Sequence, residues 1–225
     1  MLWLDPSSLL QERSVSSEPA MFMPTVRHGI ALEADDFRLS PTLLSERFSF
    51  HCLRGNHPLC SGYWTLRSQI FCREQHLFEA CDRDERDTDA IPIAALSHAD
   101  HGEGPVVGVV RIFEESPGLW WGGRLGVASG FRRENQIGKG LIWKAVTTAH
   151  ARGCRRFLAT VQIQNVRFFR RLAWSSVEAL EIQGIPHHLM EADLDYYRSD
   201  NISVDAMDRF RPDPLATAPG HPAAA

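Results

Sequence analysis

The segment RRENQIGKGL, residues 132–141, combines basic side chains with two glycines in an order that suits the binding of a diphosphate. It leads into a stretch in which apolar residues recur every three or four positions, as on one face of a helix. The amides of a first helical turn have no carbonyl partner, and the helix dipole adds about half a positive charge there. We therefore expect a diphosphate to bind at the start of this helix, where Gly138 and Gly140 let the phosphates approach the backbone.

The elements around this segment are a strand, a helix and a second strand. Residues 119–129 read as a strand, and residues 155–163 read as the strand that follows the helix. The apolar residues of the helix predict that one face is buried on a sheet, and Gly153 is expected to end it. The pattern thus places the diphosphate site between two neighbouring strands.

A second charged group comes earlier in the chain, where residues 82–89 alternate acidic and basic side chains. This run could hold an acceptor ammonium and take its proton. It could equally be a solvated loop, or form a structural network with Arg67 and Arg111, because an arginine beside apolar strands needs a partner. The candidate catalytic residues are Glu74, Asp84, Asp87 and His187.

The remaining pattern predicts an α+β protein with a mixed, mostly antiparallel sheet flanked by helices. Residues 1–45 are expected to be a partly ordered extension, 46–200 the folded domain, and 201–225 a mobile tail rich in proline and alanine. The predicted strands are 48–55, 90–97, 106–114, 178–183 and 187–194; a helix is predicted over 63–75, and Asn165 is expected to cap another.

Composition excludes several classes of protein. A net charge of −4 argues against nucleic acid as a partner, and no apolar run is long enough to cross a bilayer. The five cysteines include no C-x-x-C pair, which is typical of reduced thiols, and no metal site is expected. These features predict a cytoplasmic protein.

The Arg133 to Gly138 segment resembles motif A of the GNAT superfamily of N-acetyltransferases, which binds coenzyme A. Arg133, Ile137 and Gly138 match that motif, whereas Gln136 replaces its first glycine. A register that uses Asn135, Gly138 and Gly140 is the alternative. The Arg133 register is preferred because it gives the family's usual spacing from Gly138 to Gly153.

Further parts of the chain extend the resemblance. Leu125-Gly126-Val127 matches a strand whose amides receive the pantetheine arm, and Asn165 matches the family's asparagine. Phe169 stands where the family has the tyrosine that protonates the thiolate, so water, His187, His188 or Tyr196 are the candidate sources of that proton. The residues that the resemblance assigns to coenzyme A are Leu125, Gly126, Val127, Arg133, Gln136, Ile137, Gly138, Lys139, Gly140, Asn165 and Phe169.

Two narrower resemblances concern the reaction. Arg67 with Phe71, Asp84 with Asp87, and Gly108 with Arg111 resemble the front half of the acyl-homoserine-lactone synthases. The ending PHHLMEADL (186–194) is similar to the nitrogen-starvation N-acetyltransferases of nitrilase gene clusters.

Together these resemblances imply an N-acyltransferase that uses acetyl-CoA or another acyl-CoA. It would act on a small-molecule amine by direct attack, without metal or membrane, and the chain could pair as a homodimer. The alternatives are a longer-chain acyl synthase and a coenzyme A-binding sensor without activity.

Overall fold

A single sheet organises the part of the chain that the computed structural model describes, which is residues 3–4, 47–99, 102–182 and 184–198. The predicted tail 201–225 and all of the predicted extension except residues 3–4 lie outside these ranges. The strands are β1 (Trp3–Leu4), β2 (Phe48–Cys52), β3 (Ile91–Ala99), β4 (Gly102–Ser116), β5 (Leu119–Val127), β6 (Arg156–Gln162), β7 (Trp174–Ile182) and β8 (Ile185–Ala192). The α-helices are α1 (Cys60–Arg67), α2 (Asn135–His150) and α3 (Val166–Arg170).

The strand order is β2-β3-β4-β5-β6-β8-β7, with β1 paired to β6 outside this path. All of these pairs are antiparallel except that of β5 with β6, which α2 connects. The structure thus confirms the predicted α+β class and the mostly antiparallel sheet. It also adds one strand, β1, that the sequence pattern did not predict.

Helix α2 covers one face of the sheet because Ile137, Leu141, Ala145 and Ala149 turn towards it, and all four are fully buried. The helix ends as predicted, since Gly153 follows with a φ of +86°. The backbone amides of Gly153 and Cys154 bond back to the carbonyls of His150 and Ala149, which satisfies the last turn.

Helix α1 covers the other face, together with a smaller apolar cluster that includes Tyr63, Ile70 and Phe71. The predicted helix 63–75 begins earlier, at Cys60, and from Ser68 to Glu74 its backbone is a π-helix. Such wide turns are rare and occur often at functional sites.

One local prediction near α3 was wrong. Asn165 precedes α3, but its side chain makes no capping hydrogen bond. Helix α3 ends at Arg170, and Ala173 beyond it adopts a left-handed backbone with a φ of +58°. This conformation is strained for a residue other than glycine.

None of the helices in the described ranges is long and apolar enough to cross a membrane. All five cysteines, which lie within those ranges, are free thiols, as the sequence predicted.

Candidate active site

The predicted anion site lies in the loop between β5 and α2. A short 3-10 turn, Ser129–Phe131, follows β5, and α2 begins at Asn135 without a side-chain cap. Two amides of the first helical turn already donate hydrogen bonds: Asn135 to the Arg133 carbonyl at 3.1 Å, and Ile137 to the Glu134 carbonyl at 3.2 Å. The amide of Gln136 makes no such hydrogen bond to the backbone of the described residues. Its N–H group is therefore the donor that an anion could use.

The charged residues of this loop differ in whether they are already paired. Arg132 pairs with Glu74 and donates to the Val127 carbonyl at 3.0 Å, while Glu134 pairs with Arg47 at 3.2 Å. Arg133 is exposed and has no ion-pair partner in the described part of the chain. Its guanidinium is therefore the cation of this loop that an anion can recruit, which supports the Arg133 register.

Gly140 has a different role from the one that the sequence suggested. A Cβ atom at Gly140 would lie 2.1 Å from Cζ of Phe50 on β2, which is far inside van der Waals contact. Its amide lies beyond the first turn, where intrahelical bonds use the donors. Gly140 therefore lets α2 pack against the sheet, and the expectation that it admits phosphates to the backbone is corrected.

The other first-turn residues that the resemblance assigned to coenzyme A differ in how deeply they are buried. Ile137 is fully buried in the main core, and its side chain packs near Gly108 of β4. Gly138 is buried, whereas Gln136 and Lys139 are half-buried. The side chain of Ile137 is thus part of the core, and the amide of this turn that remains for a ligand is that of Gln136.

Strand β5 separates from β6 beside this loop. The two strands pair only at Leu119, Trp120 and Trp121, whose partners are residues 156–158. From Gly122 to Val127 the edge of β5 that faces β6 has no strand paired to it among the described residues. Leu125, Gly126 and Val127 lie on this edge, as the resemblance implied.

A β-bulge interrupts β5 at Arg124, whose φ is +54°. The register with β4 shifts there, so Val109 pairs with Gly126 but Arg111 pairs with Gly123. A left-handed backbone at a residue other than glycine costs energy, and such strain is common at active sites. The bulge turns the Arg124 side chain towards the acidic loop.

A buried ionic network joins that loop to the sheet. Arg67 donates to Asp82 at 2.7 Å and to Asp87 at 2.6 and 3.1 Å. Arg111 and Arg124 both reach Asp84, at 2.5 Å and 3.0 Å. The three guanidinium groups are fully buried, and the three carboxylates balance their charge.

The network answers the question that the sequence left open about the acidic run. Burial alone would raise the pKa of Asp87, but its hydrogen bonds and its attraction to Arg67 and Arg111 lower that pKa to about 2. A carboxylate of such low pKa is a poor proton acceptor near neutral pH. The geometry favours a structural role for Asp84 and Asp87 over the catalytic role that the sequence also allowed.

Sequence reasoning missed one member of this network, Arg124, and it did not single out Asp82 within the acidic run 82–89. Arg124 lies between glycines in an apolar strand, and the argument applied to Arg67 and Arg111 would have selected it. Burial and the repulsion of Arg111 and Arg67 lower the pKa of Arg124 to about 10, which leaves it charged at neutral pH. One of its terminal nitrogens, Nη1, is buried without a hydrogen-bond partner.

The predicted catalytic residue His187 lies on β8, opposite Gln162 of β6, and is 1% exposed. Its Nδ1 is 2.7 Å from the Ile185 carbonyl, so this nitrogen carries the proton and donates it. Nε2 is buried and has no partner, and burial lowers the pKa of the ring. His187 is therefore a neutral hydrogen-bond acceptor.

The structure does not bring all the predicted residues together. Phe169 is fully buried in the core, where its ring meets that of Trp174 at a centroid distance of 5.3 Å. Glu74 lies beside the β5–α2 loop through its ion pair with Arg132, and its side-chain partners, Arg132 and Gln69, are not members of the network that holds Asp84 and Asp87. Asn165 is half-buried just before α3.

The comparison with known families agrees with this geometry. The model described as the acetyltransferase (GNAT) family matches residues 61–174, a little over half of the chain. The chain belongs to the GNAT family. A comparison of this chain with curated proteins found no significant match.

Solved structures share its fold at low sequence identity. ElaA of Escherichia coli is 22% identical and has a TM-score of 0.53; the match covers 65% of this chain and 99% of ElaA. The aminoglycoside 6'-N-acetyltransferase from Enterococcus faecium is 15% identical with a TM-score of 0.51, over 65% and 97% of the two chains. The AHL synthase LasI is 14% identical with a TM-score of 0.53, over 66% and 91%.

Proposed function

We propose that this GNAT chain transfers an acyl group, acetyl in the first instance, from coenzyme A to a small amine. The observation that carries the proposal is the juxtaposition of Arg133, the start of α2 and the open edge of β5. Arg133 and the free amide of Gln136 would hold the pyrophosphate at the start of α2. The open edge would receive the pantetheine arm, and the thioester would then lie beside Leu125–Val127.

The reaction that fits this arrangement is direct attack. The neutral amine adds to the thioester carbonyl, the C–S bond breaks as the C–N bond forms, and the amine loses one proton while the thiolate gains one. Amides on the edge of β5 would stabilise the negative charge that develops on the carbonyl oxygen. With phenylalanine at 169 and its ring in the core, we propose that water protonates the thiolate.

The candidate catalytic residues enter this proposal with different roles. The Nε2 atom of His187 is neutral and unpaired but buried, so it would accept a hydrogen bond from the acceptor amine only after ligand binding uncovers it. Glu74 would position the loop through Arg132. Asp84 and Asp87 would shape the acceptor side by holding the acidic loop against β4 and β5.

The biological setting of the proposal rests on the resemblance of the PHHLMEADL ending (186–194). We propose an enzyme of nitrogen metabolism that works in the cytoplasm as a homodimer. The second candidate function, a longer-chain acyl synthase, is favoured by the pairing of Arg67 and Arg111 with Asp87 and Asp84, the residues that resemble those synthases.

The test is thiol release by the purified chain with acetyl-CoA and a panel of small amines, followed with a thiol-reactive dye. The panel is repeated with hexanoyl- and octanoyl-CoA and with acylated acyl carrier protein as donors. Amine-dependent release from acetyl-CoA supports the proposal. Amine-dependent release from the acylated carrier protein but not from acetyl-CoA supports the synthase, and tight binding of coenzyme A without any turnover supports a sensor.

A further inference from the structure

Strand β1 lies in the gap between β5 and β6. Its backbone pairs antiparallel with β6, Trp3 opposite Val161 and Leu4 opposite Thr160. A strand has two edges, and β8 already occupies one edge of β6 from Leu158 to Gln162. β1 therefore occupies the edge that faces β5, immediately beyond the last β5–β6 pair at Leu158.

The width of this gap fits one chain. Paired strands lie about 4.8 Å apart, so one intervening strand places β5 and β6 about 10 Å apart at this level. An extended pantetheine arm needs the width of about one strand, since it too is a single chain with amide groups along it. The gap therefore suits β1 or the arm at this level, and not both.

We propose that strand β1 competes with the acyl donor for this gap, so that the pantetheine arm displaces β1 when it binds. The inference rests on the proposed function, because it takes the open edge of β5 as the place of the arm. The pairing covers only two residues, so it holds few hydrogen bonds and a ligand can break it. The N-terminal segment acts as a built-in inhibitor whose release accompanies donor binding.

Removal of residues 1–4 tests the competition. A ligand that binds only the open form has its affinity reduced by the fraction of open molecules. If β1 closes the gap in about nine molecules of ten, the shortened chain binds acetyl-CoA about tenfold more tightly in calorimetry. Equal or weaker binding by the shortened chain overturns the inference while leaving the proposed function intact. If neither chain binds acetyl-CoA, the proposed function fails and the inference falls with it.

A reversible lock gives an independent test. Cysteines are introduced at the paired positions, Leu4→Cys with Thr160→Cys. Opposite residues have Cβ atoms about 4.5–5.5 Å apart, so the strands must approach slightly to reach the roughly 3.5–4.5 Å of a disulfide, and mass spectrometry checks that the bond has formed. The oxidised double variant should lose acetyl-CoA binding and regain it on reduction. The Thr160→Cys single variant under the same oxidant is the control and should keep binding. Undiminished binding by the oxidised, locked protein overturns the inference.

Amide hydrogen exchange reports the displacement in the unaltered chain. Antiparallel pairing bonds only one of the two adjacent amides, Trp3 or Leu4, to β6. Saturating acetyl-CoA should speed exchange at that amide, because its hydrogen bond is lost. Slower exchange there would mean that β1 completes the donor site, which contradicts competition.

Discussion

Arg111 donates two hydrogen bonds to Asp84, and the two nitrogen–oxygen distances are 2.5 and 2.7 Å. The guanidinium comes from the middle of the sheet and is fully buried, whereas the carboxylate comes from a loop and is 18% exposed. Arg124 shares the same carboxylate through the bulge in β5. The carboxylate of Asp84 thus links the acidic loop to both β4 and β5, and Asp82 adds a second link to Arg124.

Replacing Asp84 by asparagine should lower the free energy of unfolding by about 3 kcal/mol. Removal of one partner leaves buried charges without compensation, which typically costs about 3–5 kcal/mol, and Asp87 still pairs with Arg111 at 2.9 Å. Urea unfolding measures the loss. The control is Glu115→Gln, which breaks the exposed pair with Arg86 and should cost less than about 1 kcal/mol. Equal losses in the two variants would contradict a buried network.

Acid should weaken the fold through Asp87. Its folded pKa of about 2 lies below its ordinary value of 3.8, so the unfolded chain binds the proton more readily. The ion pair therefore contributes its full stability above about pH 4 and loses it as the pH falls towards 2. Urea unfolding of the wild type and Asp87→Asn at several pH values should show a steeper fall for the wild type below pH 4. Parallel curves would show that Asp87 is not the group responsible.

The sequence predicted the sheet class, α2 and the loop before it because apolar periodicity and glycine position are local signals. It could not decide between a solvated acidic loop and an ionic network, since that depends on which side chains the fold brings within 3 Å. The bulge at Arg124 shows the same limit, because its left-handed backbone arises from the register between β4 and β5.

Two features depended on contacts between segments that are distant in sequence. β1 is two residues long, and no periodicity marks so short a strand. Gly140 lies near a motif whose glycines are expected to let phosphates approach the backbone. In the structure, a side chain at this position is excluded by the ring of Phe50, which is ninety positions away in the sequence. Local pattern cannot reveal such packing.

Gly140→Ala should destabilise the protein by about 1–3 kcal/mol, although alanine is the better helix former, because the new Cβ would overlap the Phe50 ring. Gly130→Ala is the matched control: nothing lies within 4 Å of its Cβ position, and its effect should be within about 0.5 kcal/mol. Phe50→Leu should recover part of the loss in the double variant. A Gly140→Ala protein as stable as the wild type would remove the packing role.

Arg133→Ala should weaken the binding of coenzyme A about tenfold, which corresponds to about 1.4 kcal/mol, the lower end expected for a charge-assisted hydrogen bond. Arg152→Ala is the control, because Arg152 is also exposed but lies at the opposite end of α2. Titration calorimetry at low salt compares the two variants. If they bind alike, the exposed guanidinium of Arg133 has no part in phosphate binding.

The most direct measurement for the central claim, that the start of α2 grips the diphosphate of the donor, is the affinity of Gly138→Asp for coenzyme A. The control is Gly138→Asn, whose side chain has nearly the same size but no charge. Thermal unfolding of both variants without ligand checks that they fold. A carboxylate near the phosphates costs about 1–4 kcal/mol, depending on the effective dielectric constant. The account predicts that the aspartate variant binds at least about tenfold more weakly than the asparagine variant, and that added salt narrows the difference. Equal affinity of the folded aspartate variant and the wild type would contradict it.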